Sequence, residues 1–343
     1  MTSLCIDAQQ LTCVTFTSAQ RCVLPSCMNP TLTRKNRSRC IPTPSGRRTE
    51  ITSNDIYGVF EPLSRHAQLT TKQLVAYDRR YATKTRNRLI ALFHEEGQWL
   101  GRLGQEVKLA NYLAHDEIHR LEADAAQLLI TKGVIPNAQW VFHVRIGGHR
   151  TTPSRIIRLT HDHMASHIVL DIEIGARDDE AARFINHIEI VQAAPEATRA
   201  LRNPLRIPGP ETAGATKWIE PDALFALGSR YYAVEADMGT ESIDPIIRAK
   251  ILAYREVVAS GIIDDHLGID NLTVLFVTTN ETRMRNIMKE LRTIAHNGKT
   301  PMFAFASRPD LATIMHAPAP IGDMFRTSWE RVGYEPLSLV RPN

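Results

Sequence analysis

The stretch that most restricts the fold runs from Trp218 to Tyr254, WIEPDALFALGSRYYAVEADMGTESIDPIIRAKILAY. Trp218 to Leu227 and Tyr231 to Asp237 are rich in aromatic, β-branched and aliphatic residues, and Gly228-Ser229-Arg230 between them supplies turn chemistry. This pattern predicts an antiparallel hairpin. Asp244-Pro245 reads as a helix cap and first helical residue, because proline's missing N–H has no partner to lose there. Ile246, Ile247, Ile251, Tyr254, Val257 and Val258 then recur at helical spacing, with Lys250 the break in the apolar stripe. A hairpin followed by a helix that must cover it calls for an α/β or α+β fold.

Three carboxylates sit where these strands end. Asp222 follows Pro221 in the first strand, while Glu235 and Asp237 end the second, two positions apart and so on a common face. Asp222, Glu235 and Asp237 are thus candidate ligands for Mg²⁺ or Mn²⁺, completed by waters and a phosphate, and such an ion can activate water against a phosphodiester. Solvent-facing acids at strand ends are the alternative. Lys250 is the nearby cation.

Upstream, Ser53-Asn54-Asp55 offers a helix cap and Ile56, Val59, Phe60 and Leu63 an apolar stripe. A second short helix is expected after Thr70 or Thr71. A third opens near Thr83 and passes through Leu89, Ile90, Leu92 and Phe93. Gly97 to Leu103 and His115 to Leu121 read as two strands, and Glu122 to Lys132 as a closing helix. The expected unit is a winged helix-turn-helix over residues 51–133, whose third helix enters the major groove of double-stranded DNA. Lys84, Thr85, Arg86, Asn87 and Arg88 fall on that helix and Arg102 on the wing, so these six are the candidate DNA contacts, Arg86 or Asn87 reading base edges.

Residues 1–50, with RKNRSR and all five cysteines (Cys5, Cys13, Cys22, Cys27, Cys40), lack a core-forming period and read as a disordered basic arm. The cysteine spacing matches no zinc signature. Residues 134–155, punctuated by Pro136, Gly147, Gly148 and Pro153, read as a linker. Ser154 to Arg177 is an expected amphipathic helix, with His163, His167 and Asp171 at spacing four. Arg183 to Val191, Asn271 to Thr278 and Met302 to Ala306 are expected strands, and Glu281 to His296 a helix. The order helix, three strands, helix, strand gives a two-layer α/β domain over 156–320, in which the second hairpin strand and the one at Val274 could run parallel, with 321–343 as a C-terminal tail. No Walker loop or dinucleotide fingerprint accompanies any strand. With 43% hydrophobic and 23% charged residues, a net charge of +4, no long apolar run and no secretory start, the chain reads as a cytoplasmic protein without a membrane partner.

SNDIYGVFEPLSRHAQLTTKQL, RNRLIALFHEEGQWLGRL, LTHDHMASHIVLDIEIGAR, PDALFAL, VEADMGTE and KILAY together resemble the replication-relaxation family of bacterial plasmids and other mobile elements. The resemblance covers about Thr52 to Ala306 and implies DNA binding linked to plasmid replication or its control, with replication proteins as partners. The second half is also distantly similar to the restriction-endonuclease-like core of PD-(D/E)xK nucleases. That similarity implies catalytic roles for Asp222 of the PD element and for Glu235. Asp237 stands where the motif has lysine, so Lys250 from the next helix would have to supply the cation, and His167 or Asp171 a helix-borne ligand.

Overall fold

A computed structural model of the chain describes residues 42–46, 49–66, 68–95, 99–102, 116–136, 153–179, 183–209, 217–314 and 317–340. Most of the expected arm, all five cysteines, the greater part of the linker and the starts of both wing strands lie outside the described residues.

The N-terminal elements begin with helix α1 (residues 53–65), whose middle, Ile56–Phe60, is wound more widely. Thr52 and Asp55 cap it reciprocally: the Asp55 N–H donates to the Thr52 hydroxyl and the Thr52 N–H to the Asp55 carboxylate. Strand β1 (Leu69–Thr70) leads into α2 (Thr71–Tyr77), capped by Thr70 against Gln73, and then into α3 (Ala82–His94). Strands β2 (Leu100–Arg102) and β3 (Ile118–Leu121) complete an antiparallel sheet in the order β1-β3-β2. Helix α4 (Ala123–Thr131) closes this part.

Helix α5 (Pro153–Asp178) then crosses to the larger sheet. Strand β4 is only Phe184–Asn186, and α6 (His187–Ala193) follows at once, where the sequence predicts one strand through Val191. The cause is Asn186: its carboxamide oxygen accepts from the Ile188 and Glu189 N–H groups while Glu189 reaches back to the Asn186 N–H. A capping box turns the chain helical against its β-branched composition. A one-turn helix α7 (Glu196–Arg199) follows. The first arm of the expected hairpin is likewise divided. Trp218–Ile219 (β6) pairs with Ile207–Pro208 (β5) as a separate ribbon, and Ala223–Leu227 (β7) resumes after Pro221, which cannot donate to a ladder.

Strand β8 (Arg230–Asp237) pairs antiparallel with β7 across a two-residue turn opened by Gly228 at φ +60°. A wide turn, Ile243–Ile247, leads into α8 (Arg248–Ala259), then α9 (Ile262–Leu267), β9 (Thr273–Thr278), α10 (Glu281–Ile294) and β10 (Thr300–Ser307). Strands β8 and β9 are parallel, as the α8 crossover predicts, and β10 runs parallel to β9. The supposed C-terminal tail contributes α11 (Asp323–Arg326), β11 (Ser328–Val332) and β12 (Leu337–Ser338), completing a seven-stranded mixed sheet in the order β12-β11-β10-β9-β8-β7-β4. Trp329 of β11 is fully buried, and the described residues 321–340 thus form an edge of the sheet.

The domain has three layers where the sequence predicts two. Tyr232, Val234, Leu275, Val277 and Ala304 pack with Ile168, Ile172 and other residues of α5, whereas Ala233, Val274, Phe276, Phe303 and Phe305 pack with Ile251, Tyr254, Met284 and Ile287 of α8 and α10. Central parallel strands apolar on both faces must be covered on both. Residues 38–343 form one compact unit, and α5 belongs to both parts of it: Leu170 and Ile174 join Phe60, Leu63 and Leu92 in the N-terminal core. The expected units at 51–133 and 156–320 thus share α5. No helix among the described residues is long and apolar enough to cross a membrane.

Candidate functional site at the carboxyl ends of the parallel strands

Open α/β sheets bind ligands beyond the carboxyl ends of their parallel strands, because the helix crossovers leave a crevice there. Glu235 and Asp237 are at that end of β8, on the face shared with Ala233 and α8. Glu235 is 2% exposed. The Lys250 ammonium donates to Glu235 Oε2 at 2.8 Å and the Tyr254 hydroxyl donates to Oε1. Lys250 and Tyr254 are one helical turn apart on α8, so the lysine that interrupts the apolar stripe does so to reach a buried carboxylate. Burial and the charge of Asp222 push Glu235 up to about 7, against the opposing pull of Lys250 and Tyr254.

Asp222 enters from the turn before β7. Its carboxylate accepts from the Ala236 N–H at 2.8 Å, and its own N–H donates to the Val234 carbonyl, which pins it across the end of β8. His161 of α5 places Nε2 3.3 Å from the same carboxylate and Nδ1 3.5 Å from Asp162. Burial works against a charged ring, but hydrogen bonds to Asp162 and Asp222 and their negative charges carry His161 up to about 10. Asp222, Glu235, Lys250 and His161 thus form a cluster of two acids and two cations.

Asp237 does not join this cluster. Arg283 of α10 donates to both its carboxylate oxygens and to the Glu241 carbonyl, a bidentate pair that occupies Asp237. Among the described residues no group of three or more His, Cys, Asp or Glu side chains is placed to hold a metal ion. Both oxygens of Glu235 are engaged by Lys250 and Tyr254, so the set as it stands carries its own cations.

The helix-borne partner is His161, where the resemblance implies His167 or Asp171. Asp171 accepts from the backbone N–H groups of Ile321, Gly322 and Met324 and fastens the start of α11. His163 and His167 are buried, and burial first holds them neutral, down to about 3 and about 4 respectively. His161 was legible in one respect: with Ala165, Ile168 and Ile172 it extends the sheet-facing stripe of α5 by one turn.

In the N-terminal part, Lys84, Arg86 and Asn87 project from α3 into solvent, and Tyr81 ahead of them is 80% exposed with the Lys84 ammonium 5.7 Å from its ring. The other three candidates are turned inward. Thr85 is fully buried and donates to Asp78 at 2.9 Å. Arg88 binds the buried carboxylate of Asp55 at 2.6 Å. The Arg102 side chain is 4% exposed, 3.8 Å from Glu117, with its guanidinium 4.3 Å from the Phe93 ring centroid. These three brace the fold and leave Lys84, Arg86 and Asn87 as the outward set.

A family described as replication-relaxation matches residues 60–273, more than half of the chain, and spans both the α3 face and the acid–cation cluster. The chain belongs to the replication-relaxation family. Membership associates it with the replication of plasmids and mobile elements. No curated protein and no solved structure matches it.

Proposed function

We propose that this replication-relaxation protein binds double-stranded DNA through α3 in the replication of a plasmid or mobile element, the elements from α1 to β3 serving as a winged helix-turn-helix. The observation that carries the reading is the division of α3. Its inward side, Thr85, Leu89 and Leu92, is buried, while Lys84, Arg86 and Asn87 are exposed and spread over the other half of the helix. A helix presented in this way beside a small antiparallel sheet is how such modules offer cations and an amide to a groove. The test is duplex binding over a salt series. Replacing Lys84, Arg86 and Asn87 by alanine is expected to weaken binding and lower the log–log salt slope by about 0.9 for each phosphate no longer neutralised. An unchanged slope in a folded variant would make this face a protein-binding surface, with replication proteins the first partners to test.

A second reading, divalent-dependent DNA cleavage in a restriction-endonuclease-like core, is favoured by one observation: Lys250 reaches Glu235 at 2.8 Å, and Asp222 is bound to the Ala236 N–H next to it. Magnesium or manganese would have to compete with Lys250 and His161 for Asp222 and Glu235, and Asp237 is not available to it. Calorimetry with Mn²⁺ on the wild type and on Asp222→Ala decides the binding step. Nicking of supercoiled plasmid that survives Glu235→Ala would remove this site from any cleavage seen.

A further inference from the structure

The β5–β6 ribbon holds a feature that neither the α3 face nor the acid–cation cluster uses. Trp218 is 48% exposed, and the Arg206 guanidinium lies 4.2 Å from its ring centroid. The pairing of Ile207 with Ile219 and of Pro208 with Trp218 fixes the ribbon, since Ile207 and Ile219 are both buried in the main core. Glu220 accepts from Asn203 at 2.8 Å and from Arg206 at 3.2 Å, which holds the guanidinium against the indole. Arg199, Arg202 and Lys217 are exposed and make no ion pair among the described residues. With Arg206 they make four cations in residues 196–220 against the three carboxylates Glu196, Glu211 and Glu220, a local excess of 4 − 3 = 1.

We propose that this ribbon is a stacking platform for single-stranded DNA. An exposed aromatic ring backed by arginine, with Lys217 next to it in the chain, matches what an unpaired nucleotide offers, a π-face and a phosphate. A duplex keeps its base faces inside the stack, so it can use the cations but not the ring. The position of the ribbon also suits a strand on its way to the cluster: Asp222 follows Trp218 by four residues, at most about 13 Å of extended chain. The proposal rests on the reading of the chain as a DNA-binding protein and adds a second site with a different preference.

The test uses the full chain, a fluorescein-labelled thymidine oligonucleotide and a duplex of the same length. Trp218→Ala is expected to weaken oligothymidine binding about five- to hundredfold, the range for one lost base–aromatic stack. Trp218→Phe should keep most of the affinity, and duplex binding should be unchanged in both. The indole is half exposed, so the variants are expected to melt with the wild type, which separates loss of the ring from loss of the fold. Oligothymidine affinity that is the same in Trp218→Ala and wild type, with duplex binding intact, overturns the platform and leaves the α3 reading standing. Loss of oligothymidine binding in Trp218→Ala alongside unaltered duplex binding in the Lys84, Arg86 and Asn87 variant supports the platform and rejects the α3 reading.

Discussion

A histidine held between two carboxylates keeps its proton to a higher pH than one facing water, and His161 is so placed, beside Asp162 and Asp222. Its folded value is raised from 6.5 to about 10, so the stability it contributes is fully present below pH 6.5 and is lost as pH rises through 10. His161→Gln should therefore cost most near pH 6 and least above pH 10, as read from urea midpoints across that range. Glu235 is also raised, from 4.5 to about 7, but as an acid it is favoured in the folded state when neutral. Its contribution grows as pH falls from 7 to 4.5, and Glu235→Gln should flatten that slope. Equal slopes for the variants and the wild type in both windows would mean that neither group feels the charges beside it.

At the scale of elements, α5 and α11 meet at glycine. A Cβ on Gly175 would stand 2.4 Å from the Phe325 Cβ, and Gly322, at φ +86°, crosses the same spot. Helix propensity alone favours alanine at Gly175 by about 1 kcal/mol. The clash is with the root of a buried side chain that cannot swing aside, and overpacking of that kind costs about 1–3 kcal/mol. Overpacking thus outweighs propensity: Gly175→Ala is expected to lower the melting temperature, and a rise would show that α11 is free to move. This meeting of helices also marks where reading by period stops. The helices α3, α5 and α10 and the strands β8 to β10 follow from spacing, because burial imposes 3.6-residue or two-residue repeats on a chain. Two expected strands are cut short, one by the capping box at Asn186 and one by the missing N–H of Pro221, neither of which a periodicity registers. The site was legible to the same degree: Asp222, Glu235 and Lys250 come together, whereas the capture of Asp237 by Arg283 depends on a helix some 46 positions downstream.

Across the whole molecule, the face proposed for duplex DNA and the acid–cation cluster are joined through α5. His161 near one end of that helix touches Asp222, and Glu173, three turns further on, accepts from Arg65 of α1 at 2.6 Å and from the Tyr77 hydroxyl of α2 at 3.2 Å. Arg65 and Glu173 are both 8% exposed at the side chain, so little solvent is at hand to replace either partner. Losing a charge-assisted hydrogen bond in such a place costs about 1.5–3 kcal/mol, and Arg65 retains Glu61 at 2.6 Å, which keeps the cost below that of a fully stranded charge. Glu173→Ala is thus expected to destabilise the chain by about 2 kcal/mol. Because Leu170 and Ile174 on either side of it sit in the N-terminal core while Ile168 and Ile172 sit under the large sheet, that loss should lower one cooperative transition for residues 38–343. Calorimetry can check this: a single peak whose calorimetric and van't Hoff enthalpies agree should move as a whole. Two peaks, of which only one shifts, would mean that the parts fold separately and that α5 does not couple the α3 face to the cluster.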